Sequence, residues 1–288
     1  MRVGVVILPQ FDAGETTARW KALQDMGFAH GWTYDHLAWR DLSDEPWHAT
    51  MPTLTVAALA TTTLRIGTWV TSPNFRHPVT LAKDLMTLDV LSGGRMIAGI
   101  GAGGLGWDSR VFGHADLPPR ERVDRLSEFV ELTELLLRQP VTTWHGEHYD
   151  AVDAHLLPGC VQSPRLPVVV AANGPRSMRI AARHADAWAT TGTPSDDLDG
   201  WWRGIAELSH RFTDIVGGRT GPDRYLSLDS APVFSLSSLD AFDDAVGRAA
   251  ALGFTDVVTH WPRASRQYVG DPAVLAQAAG RLRPGGTV

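Results

Sequence analysis

Gly99-Ile100-Gly101-Ala102-Gly103-Gly104 is the stretch on which the fold turns, because it spells G-x-G-x-x-G. A dinucleotide-binding turn with that spelling needs a helix straight after it and an acidic residue closing a strand about 20 residues further on. Here it is followed by Leu105-Gly106-Trp107-Asp108 and then by Pro118-Pro119, and no new strand begins for a long way. The dinucleotide reading is therefore rejected. What remains is a strand, 95–101, running out into bare backbone against which a flat ring or a phosphate can lie.

Outward from this strand, short apolar runs alternate with helix-period segments. Upstream, 3–8 is a β-branched run stopped by Pro9, and 16–26 places Ala18, Ala22, Leu23 and Met26 on one helical face before Gly27. Strand 31–34, helix 54–62 and strand 64–71 follow, then Leu81, Leu85, Leu88 and Leu91 on a helix that turns at Ser92-Gly93-Gly94. Downstream, Leu126, Phe129, Val130, Thr133, Leu136 and Leu137 share the face of a long helix. An irregular excursion over 140–167 holds a hairpin around His145-Gly146-Glu147. Strands at 168–172, 186–190, 225–233 and 254–260 then alternate with helices at 177–184, 201–216, 241–252 and 272–282. Ser237 and Asp240 form a capping-box pattern before the third of these helices.

Eight strands separated by helical material imply a parallel sheet with helical crossovers. Over 288 residues they fit a closed (β/α)8 TIM barrel of the α/β class, a single domain 1–288 with an insertion between strands four and five. The apolar share of 44% is ordinary for a globular chain, so a full core is available without disulfides. A net charge of -6 with no run of Lys and Arg argues against nucleic acid as the main partner. Cys160 is the only cysteine, which excludes an intrachain disulfide, and no partner nearby in the sequence marks it as a nucleophile. The first residues are too short and too β-branched a run for a signal peptide, and nothing approaches the roughly 18 apolar residues of a membrane span. A cytoplasmic protein with no membrane partner is expected.

In such a barrel, functional residues sit just after strands, at the C-terminal rim. Asp35-His36 follows the second strand, Thr71-Ser72-Pro73-Asn74 the third, Asn173-Gly174-Pro175-Arg176 the fifth, Thr191-Gly192 the sixth and His260-Trp261-Pro262 the eighth. Asn173-Gly174-Pro175-Arg176 opens a helix whose first N–H groups suit a phosphate, with Arg176 as an added contact; an ordinary strand-to-helix turn uses the same residues. Asp35 and His36 pair a carboxylate with an imidazole, which can bond a ring and move a proton or can simply cap a turn. His145-Gly146-Glu147-His148 lacks a fourth ligand and helical spacing, so it reads as a hairpin tip and no metal is expected. Trp32, Trp39, Trp47, Trp69, Trp107 and Trp261 all fall near the rim, where several would make a flat apolar pocket.

At these residues the chain resembles the luciferase-like flavin and deazaflavin oxidoreductases. The resemblance runs through Gly27-Phe28, Tyr34-Asp35-His36, Leu64-Arg65-Ile66-Gly67-Thr68, Arg76-His77-Pro78, Thr87-Leu88-Asp89, Leu91-Ser92-Gly93-Gly94-Arg95, Gly99-Ile100-Gly101-Ala102-Gly103 and Ala172-Asn173-Gly174-Pro175. It implies a homodimeric TIM barrel with its cofactor at the C-terminal rim, and an oxidoreductase acting on a small organic substrate. Members use either reduced FMN with oxygen, as monooxygenases, or coenzyme F420, a deazaflavin, for hydride transfer. Gly67-Thr68-Trp69-Val70-Thr71-Ser72-Pro73 with Arg76-His77-Pro78 looks most like the F420-using branch. In that branch the third strand often carries a non-prolyl cis peptide under the ring, matching Trp69–Val70 here. The resemblance further implies that Asp35 and His36 face the reactive ring, with His36 as proton donor or positioner. The Trp69–Val70 bond would support the ring and Gly101, Ala102, Gly103, Ala172, Asn173, Gly174 and Pro175 would cradle the tail and phosphate; Thr71 beside the ring and Arg176 beside the phosphate are further candidates on local grounds. One departure is Gly104, where sugar-phosphate dehydrogenases of the family carry an acidic residue. The alternatives are an FMN-dependent monooxygenase fed by a partner reductase and a catalytically silent flavin-binding protein.

Overall fold

The computed structural model describes every residue except Leu105, Arg219 and Pro284. In chain order the barrel strands are β1 (Arg2–Val6), β2 (His30–Thr33), β3 (Arg65–Thr68), β4 (Met96–Gly101), β7 (Val168–Ala171), β8 (Ala187–Thr190), β9 (Asp223–Ser227) and β10 (Asp256–His260). All eight pair in parallel, and β1 closes on β10 with Val3 opposite Val257 and Val6 opposite His260. The helices between them are α1 (Ala13–Asp25), α2 (Thr50–Ala60), α3 (Pro78–Ser92), α5 (Pro119–Arg138), α6 (Pro175–His184), α7 (Leu198–Val216) and α8 (Leu239–Ala251), with α9 (Pro272–Ala279) after the last strand. The insertion between β4 and β7 carries a short α4 (Trp107–Arg110), α5 and an antiparallel hairpin of β5 (Val141–His145) and β6 (Asp150–His155).

The alternation of each strand sorts its side chains into two buried layers. Val3, Val5, Ile66, Ala98, Ile100, Val170, Trp188 and Val257 pack outward against the helices, while Val6, Trp32, Ile97, Val169, Ala187, Ala189, Tyr225 and Val258 fill the barrel. Trp188 shows the outer layer at work: its indole stacks on Phe212 of α7 at 4.3 Å and its N–H donates to the Ala172 carbonyl at 2.7 Å. The helices start where side chains cap them. Asp12 accepts from Glu15 N–H, Asp197 from Gly200 N–H, and Asp271 from Ala273 N–H ahead of Pro272. Gly27, at φ 84°, takes the left-handed turn just beyond α1 that a side chain would resist.

Among the boundaries that differ from the sequence reading, three bear on the site and its supports. The third strand stops at Thr68, ahead of the cis Trp69–Val70 peptide, and beyond it the chain keeps to β4 through an isolated bridge from Thr71 to Ile100. The seventh barrel strand stops at Ser227 because Asp229 draws the chain out of the sheet to meet Ser235, Thr259 and His260. The cap of α8 is Ser238, whose hydroxyl accepts from Ala241 N–H, so the box read at Ser237 and Asp240 lies one residue early.

The N-terminal floor of the barrel is closed by charge. His30 Nε2 lies 3.1 Å from Asp256 Oδ1, and Arg2 donates to both oxygens of Asp256 at 2.7 Å while also pairing with Asp223. The Trp32 indole N–H, which can only donate, points at His30 Nδ1 at 2.6 Å. The ring proton of His30 therefore sits on Nε2 and the imidazole is neutral. Burial pushes the His30 pKa down in the same direction. Burial alone would raise the Asp256 carboxyl, but the bonds from His30 and Arg2 outweigh it and hold it at about 2. Gly4 makes room for this: a Cβ there would meet the His30 ring at 1.8 Å.

Candidate active site

The opposite, C-terminal mouth of the barrel is open. A cavity of about 630 Å³ is walled by residues that end the strands: Tyr34 and His36 after β2, Trp69 and Val70 after β3, Ala171 and Asn173 from β7, and Ala189 to Gly192 from β8. Ser227 and Asp229 from β9, with Tyr268 from the loop after β10, complete it. That size suits one organic cofactor or ligand. Its apolar walls come from Trp69, Val70 and the two alanines, whose small side chains keep the slot open. A second cavity of about 450 Å³ shares His36, Trp39 and Arg40 and extends to Asn74, Gly104 and Trp107.

His36 stands where the two cavities meet. Its Nδ1 lies 2.5 Å from Asp108 Oδ2 on α4, and the other Asp108 oxygen accepts the Leu37 N–H at 2.8 Å. The Trp47 indole donates to the His36 carbonyl at 2.8 Å, so ring and backbone are both fixed. A carboxylate accepts only, which places the neutral ring's proton on Nδ1 and leaves Nε2 without a protein partner among the described residues. Asp35 is placed differently from its expected position. It lines neither cavity, and its buried carboxylate takes a two-pronged bond from Arg76 at 2.7 and 3.1 Å. Its surroundings make it the anchor of the loop that carries His36.

The glycine-rich end of β4 also departs from the expected bare wall. A Cβ on Gly99 would meet the Thr68 carbonyl at 2.0 Å, and one on Gly101 would meet Val70 Cγ2 at 2.8 Å. Gly103, at φ 74°, is bare because Asn74 lies against it. Asn74 in turn donates to the Gly104 carbonyl and accepts from Arg125. Gly101, Ala102 and Gly103 do not line the main cavity; they seat the Trp69–Val70 turn and Asn74, which do line cavities. Thr71 lies behind the turn, fully buried, and its backbone bonds with Gly99 and Gly101 tie β3 to β4.

On β7 the lining residue is Ala171, while Ala172 packs into the outer core. The Asn173 amide bridges to β8, donating to the Gly192 carbonyl at 2.8 Å and accepting from Thr190 at 2.6 Å. Gly174 and Pro175 open α6 exposed, and no side chain caps that end. Arg176 pairs with Asp124 of α5, so part of its charge is already answered.

A second imidazole reaches the cavity through phenols. His260 Nδ1 is 2.8 Å from Asp229 Oδ2, Tyr34 Oη is 2.7 Å from His260 Nε2, and Tyr268 Oη is 2.9 Å from Tyr34 Oη. The Tyr268 ring stacks on His260 with centroids 3.6 Å apart. Burial raises the Tyr34 hydroxyl well above its ordinary range and pushes Tyr268 up to about 12, so both are neutral phenols.

A family model described as luciferase-like monooxygenase matches residues 1–212. The chain belongs to the luciferase-like family. Among curated relatives, an F420-dependent hydroxymycolic acid dehydrogenase of Mycobacterium tuberculosis is 35% identical over 65% of this chain and 51% of its own length. An F420-dependent glucose-6-phosphate dehydrogenase of Amycolatopsis mediterranei is 33% identical over 58% of this chain and 50% of its own. The chain thus aligns with about half of each of these relatives. Among solved structures, the F420-dependent tetrahydromethanopterin reductase of Methanopyrus kandleri superposes with a TM-score of 0.72 over 96% of both chains. The monooxygenase RslO1 of Streptomyces bottropensis superposes with a TM-score of 0.75 over 97% of both. At 17% and 19% identity these two likenesses are of fold.

Within this luciferase-like barrel, sequence reasoning found His36, the Trp69–Val70 turn and the strand-end position of His260. It gave no role to Asp108 on the short α4, to Asp229 in the turn after β9 or to Tyr268 after β10, and it did not connect Tyr34 to His260. Tyr34 and Asp108 stand within the quoted stretches Tyr34-Asp35-His36 and Leu105-Gly106-Trp107-Asp108, but nothing there marks their roles. Of the rim tryptophans, Trp39 and Trp69 line the main cavity, Trp107 the second, and Trp32 packs beneath Trp69 at 4.9 Å. Trp261 lies beside Arg19 and the outer core. The His145–His148 tip is a hairpin turn whose backbone N–H groups donate to Glu128. Cys160 is half-buried, and burial pushes its thiol up, against nucleophilic use.

Proposed function

We propose that this chain is a coenzyme F420-dependent oxidoreductase that exchanges a hydride with a small organic substrate bound at the barrel mouth. The observation that carries the reading is the slot between the Trp69–Val70 turn and Ala171 and Ala189, with a fixed imidazole, His36, at one end. A flat tricyclic ring fits a slot of that chemistry, and an F420-dependent relative shares 35% of aligned residues. Trp69 and Val70 would lie against the ring, with Thr71, Gly101, Ala102 and Gly103 supporting them from behind. Asn173, Gly174, Pro175 and Arg176, backed by Ala172 and joined by Thr191 and Gly192, would hold the anionic tail at the start of α6. When bound, the deazaflavin supplies two-electron hydride chemistry; the protein supplies orientation and proton handling. His36 binds the substrate's polar group from Nε2 and can hold or release a proton there, while Asp108 fixes its tautomer. Asp35 acts through Arg76 by holding the loop in place.

Side-by-side titration with F420 and FMN tests the cofactor. Quenching of F420 fluorescence with a micromolar midpoint supports the reading, and micromolar binding of FMN alone sinks it. The second reading, an FMN-dependent monooxygenase supplied by a partner reductase, draws on the family's description and the fold likeness to RslO1. Oxygen uptake coupled to product would favour it, since hydride transfer alone consumes none. A silent flavin-binding protein would bind cofactor yet show no change in any turnover on His36→Ala.

The reading extends to the rest of the molecule. The whole chain 1–288 is taken as one cytoplasmic unit, with an F420 or flavin reductase renewing its cofactor; among the described residues no helix is long and apolar enough to cross a membrane. It is taken as a homodimer, for which the exposed Leu59 of α2 and Val90 and Leu91 of α3 offer an apolar face. Light scattering of the purified chain reads that state directly.

A further inference from the structure

The Asp229–His260–Tyr34–Tyr268 chain is more than the luciferase-like barrel needs to stay closed. Each contact of Asp229 is a donor: Ser235 N–H and hydroxyl on one oxygen, and Thr259 hydroxyl, His260 N–H and His260 Nδ1 on the other. The directions that follow are forced. His260 carries its proton on Nδ1, so Nε2 accepts from the Tyr34 hydroxyl, and the Tyr34 oxygen can then only accept from Tyr268. Every donor points inward, from the cavity wall to a buried carboxylate. His260 and Asp229 side chains are 2% and 0% exposed, so the imidazole meets the substrate space only through the phenols. The charged groups acting on the phenols besides Asp229 are Arg40 and Arg263.

We infer that Tyr268 is a catalytic proton-exchange group of this site, backed by Tyr34, His260 and Asp229 as positioning residues, and that the substrate is an alcohol or its carbonyl partner. This rests on the deazaflavin reading above. In the oxidising direction the carbinol C–H bond breaks and its electron pair leaves as hydride to the deazaflavin. The O–H proton passes to the Tyr268 oxygen, the Tyr268 proton to Tyr34, and the Tyr34 proton to His260 Nε2. The products are a carbonyl, the reduced cofactor and an imidazolium beside the Asp229 carboxylate. The reducing direction runs the same transfers backwards and leaves the imidazole neutral. His36, half open where two cavities meet, can exchange its proton with water. The His260 imidazole reaches the cavity through the phenols Tyr34 and Tyr268, so a proton stored there stays with the reaction.

Two readouts test this on the full chain. The first needs no turnover: long-range nitrogen–proton NMR of 15N-labelled histidines, with His260→Gln giving the assignment. The Nδ1–H tautomer is expected, with the Nε2 signal moving toward that of a free acceptor nitrogen in Tyr34→Phe. An Nε2–H tautomer, or an Nε2 signal indifferent to Tyr34→Phe, overturns the inference. The second follows oxidation of reduced F420 by cyclohexanone in H2O and D2O. Tyr268→Phe, which removes only a hydroxyl, is expected to lower kcat about 100-fold with the F420 midpoint unchanged, and to alter the solvent isotope effect. A kcat within about twofold of the parent chain overturns it. If the parent chain fails to bind F420, the cofactor reading falls, while the tautomer result still stands or falls by itself.

Discussion

The barrel holds two buried imidazole–carboxylate pairs, His30–Asp256 at its floor and His260–Asp229 at its mouth. Both histidines sit at strand positions in the barrel, and both carboxylates are fully covered. The difference lies in the second ring nitrogen. At the floor it accepts a hydrogen bond from Trp32, a residue that can only donate, and the network ends there. At the mouth it meets Tyr34, a hydroxyl that both donates and accepts, and the network continues to the cavity. One nitrogen's partner separates a structural histidine from one able to exchange a proton with a ligand.

Breaking the floor should give the largest effect on stability and none on ligand binding. Asp256→Ala leaves Arg2 and His30 without their shared partner and is expected to cost about 3–5 kcal/mol in denaturant unfolding. F420 affinity should be unchanged at temperatures where the fold persists. A change at the rim that leaves the buried mouth pair intact should act on turnover instead of stability. His36→Ala is expected to lower kcat about 100-fold, roughly 2.7 kcal/mol of barrier, with melting temperature moved little.

The floor also carries a pH signature. His30 is held neutral with its pKa below the ordinary value, and Asp256 is held at about 2. Both folded values are depressed, so their contribution is complete above the unfolded histidine value near 6.5. It erodes as pH falls below that, and the Asp256 part goes last, between the unfolded carboxyl value of about 3.9 and its folded value of about 2. Unfolding free energy measured down this range should fall monotonically, and the first step should vanish in His30→Gln.

Gly101→Ala sharpens the comparison at smaller scale. Its Cβ would press Val70 Cγ2 at 2.8 Å, so a loss of about 1–3 kcal/mol is expected together with weaker F420 binding, because the pressed residue is a cavity wall. The smallest effect is expected of Arg176→Ala. Its exposed pair with Asp124 is worth at most about 1 kcal/mol of stability, and its loss should weaken F420 without touching a tailless deazaflavin.

The barrel was legible because short apolar runs alternate with period-3.6 segments: the runs at 3–8, 168–172 and 254–260 are apolar on both faces because both faces are buried in the core. His36 was legible for a related reason, since the end of a strand in this architecture is the rim. The reach of a side chain across loops was not legible. Asp108 meets His36 from 72 residues away, and Tyr268 meets Tyr34 from 234. The glycines of β4 were legible as bareness but not as to what fills it. Val70 and Asn74 come from the turn that follows β3, and no periodicity encodes where that turn lies.

The central claim is that the slot between Val70, Ala171 and Ala189 is where F420 binds. Ala171→Phe extends a ring from β7 into that slot while leaving the floor network untouched. Fluorescence titration of F420 against the parent chain and this variant tests the claim directly. Micromolar binding by the parent, lost in the variant at an unchanged melting temperature, is the expected result. Equal binding by both chains would contradict it.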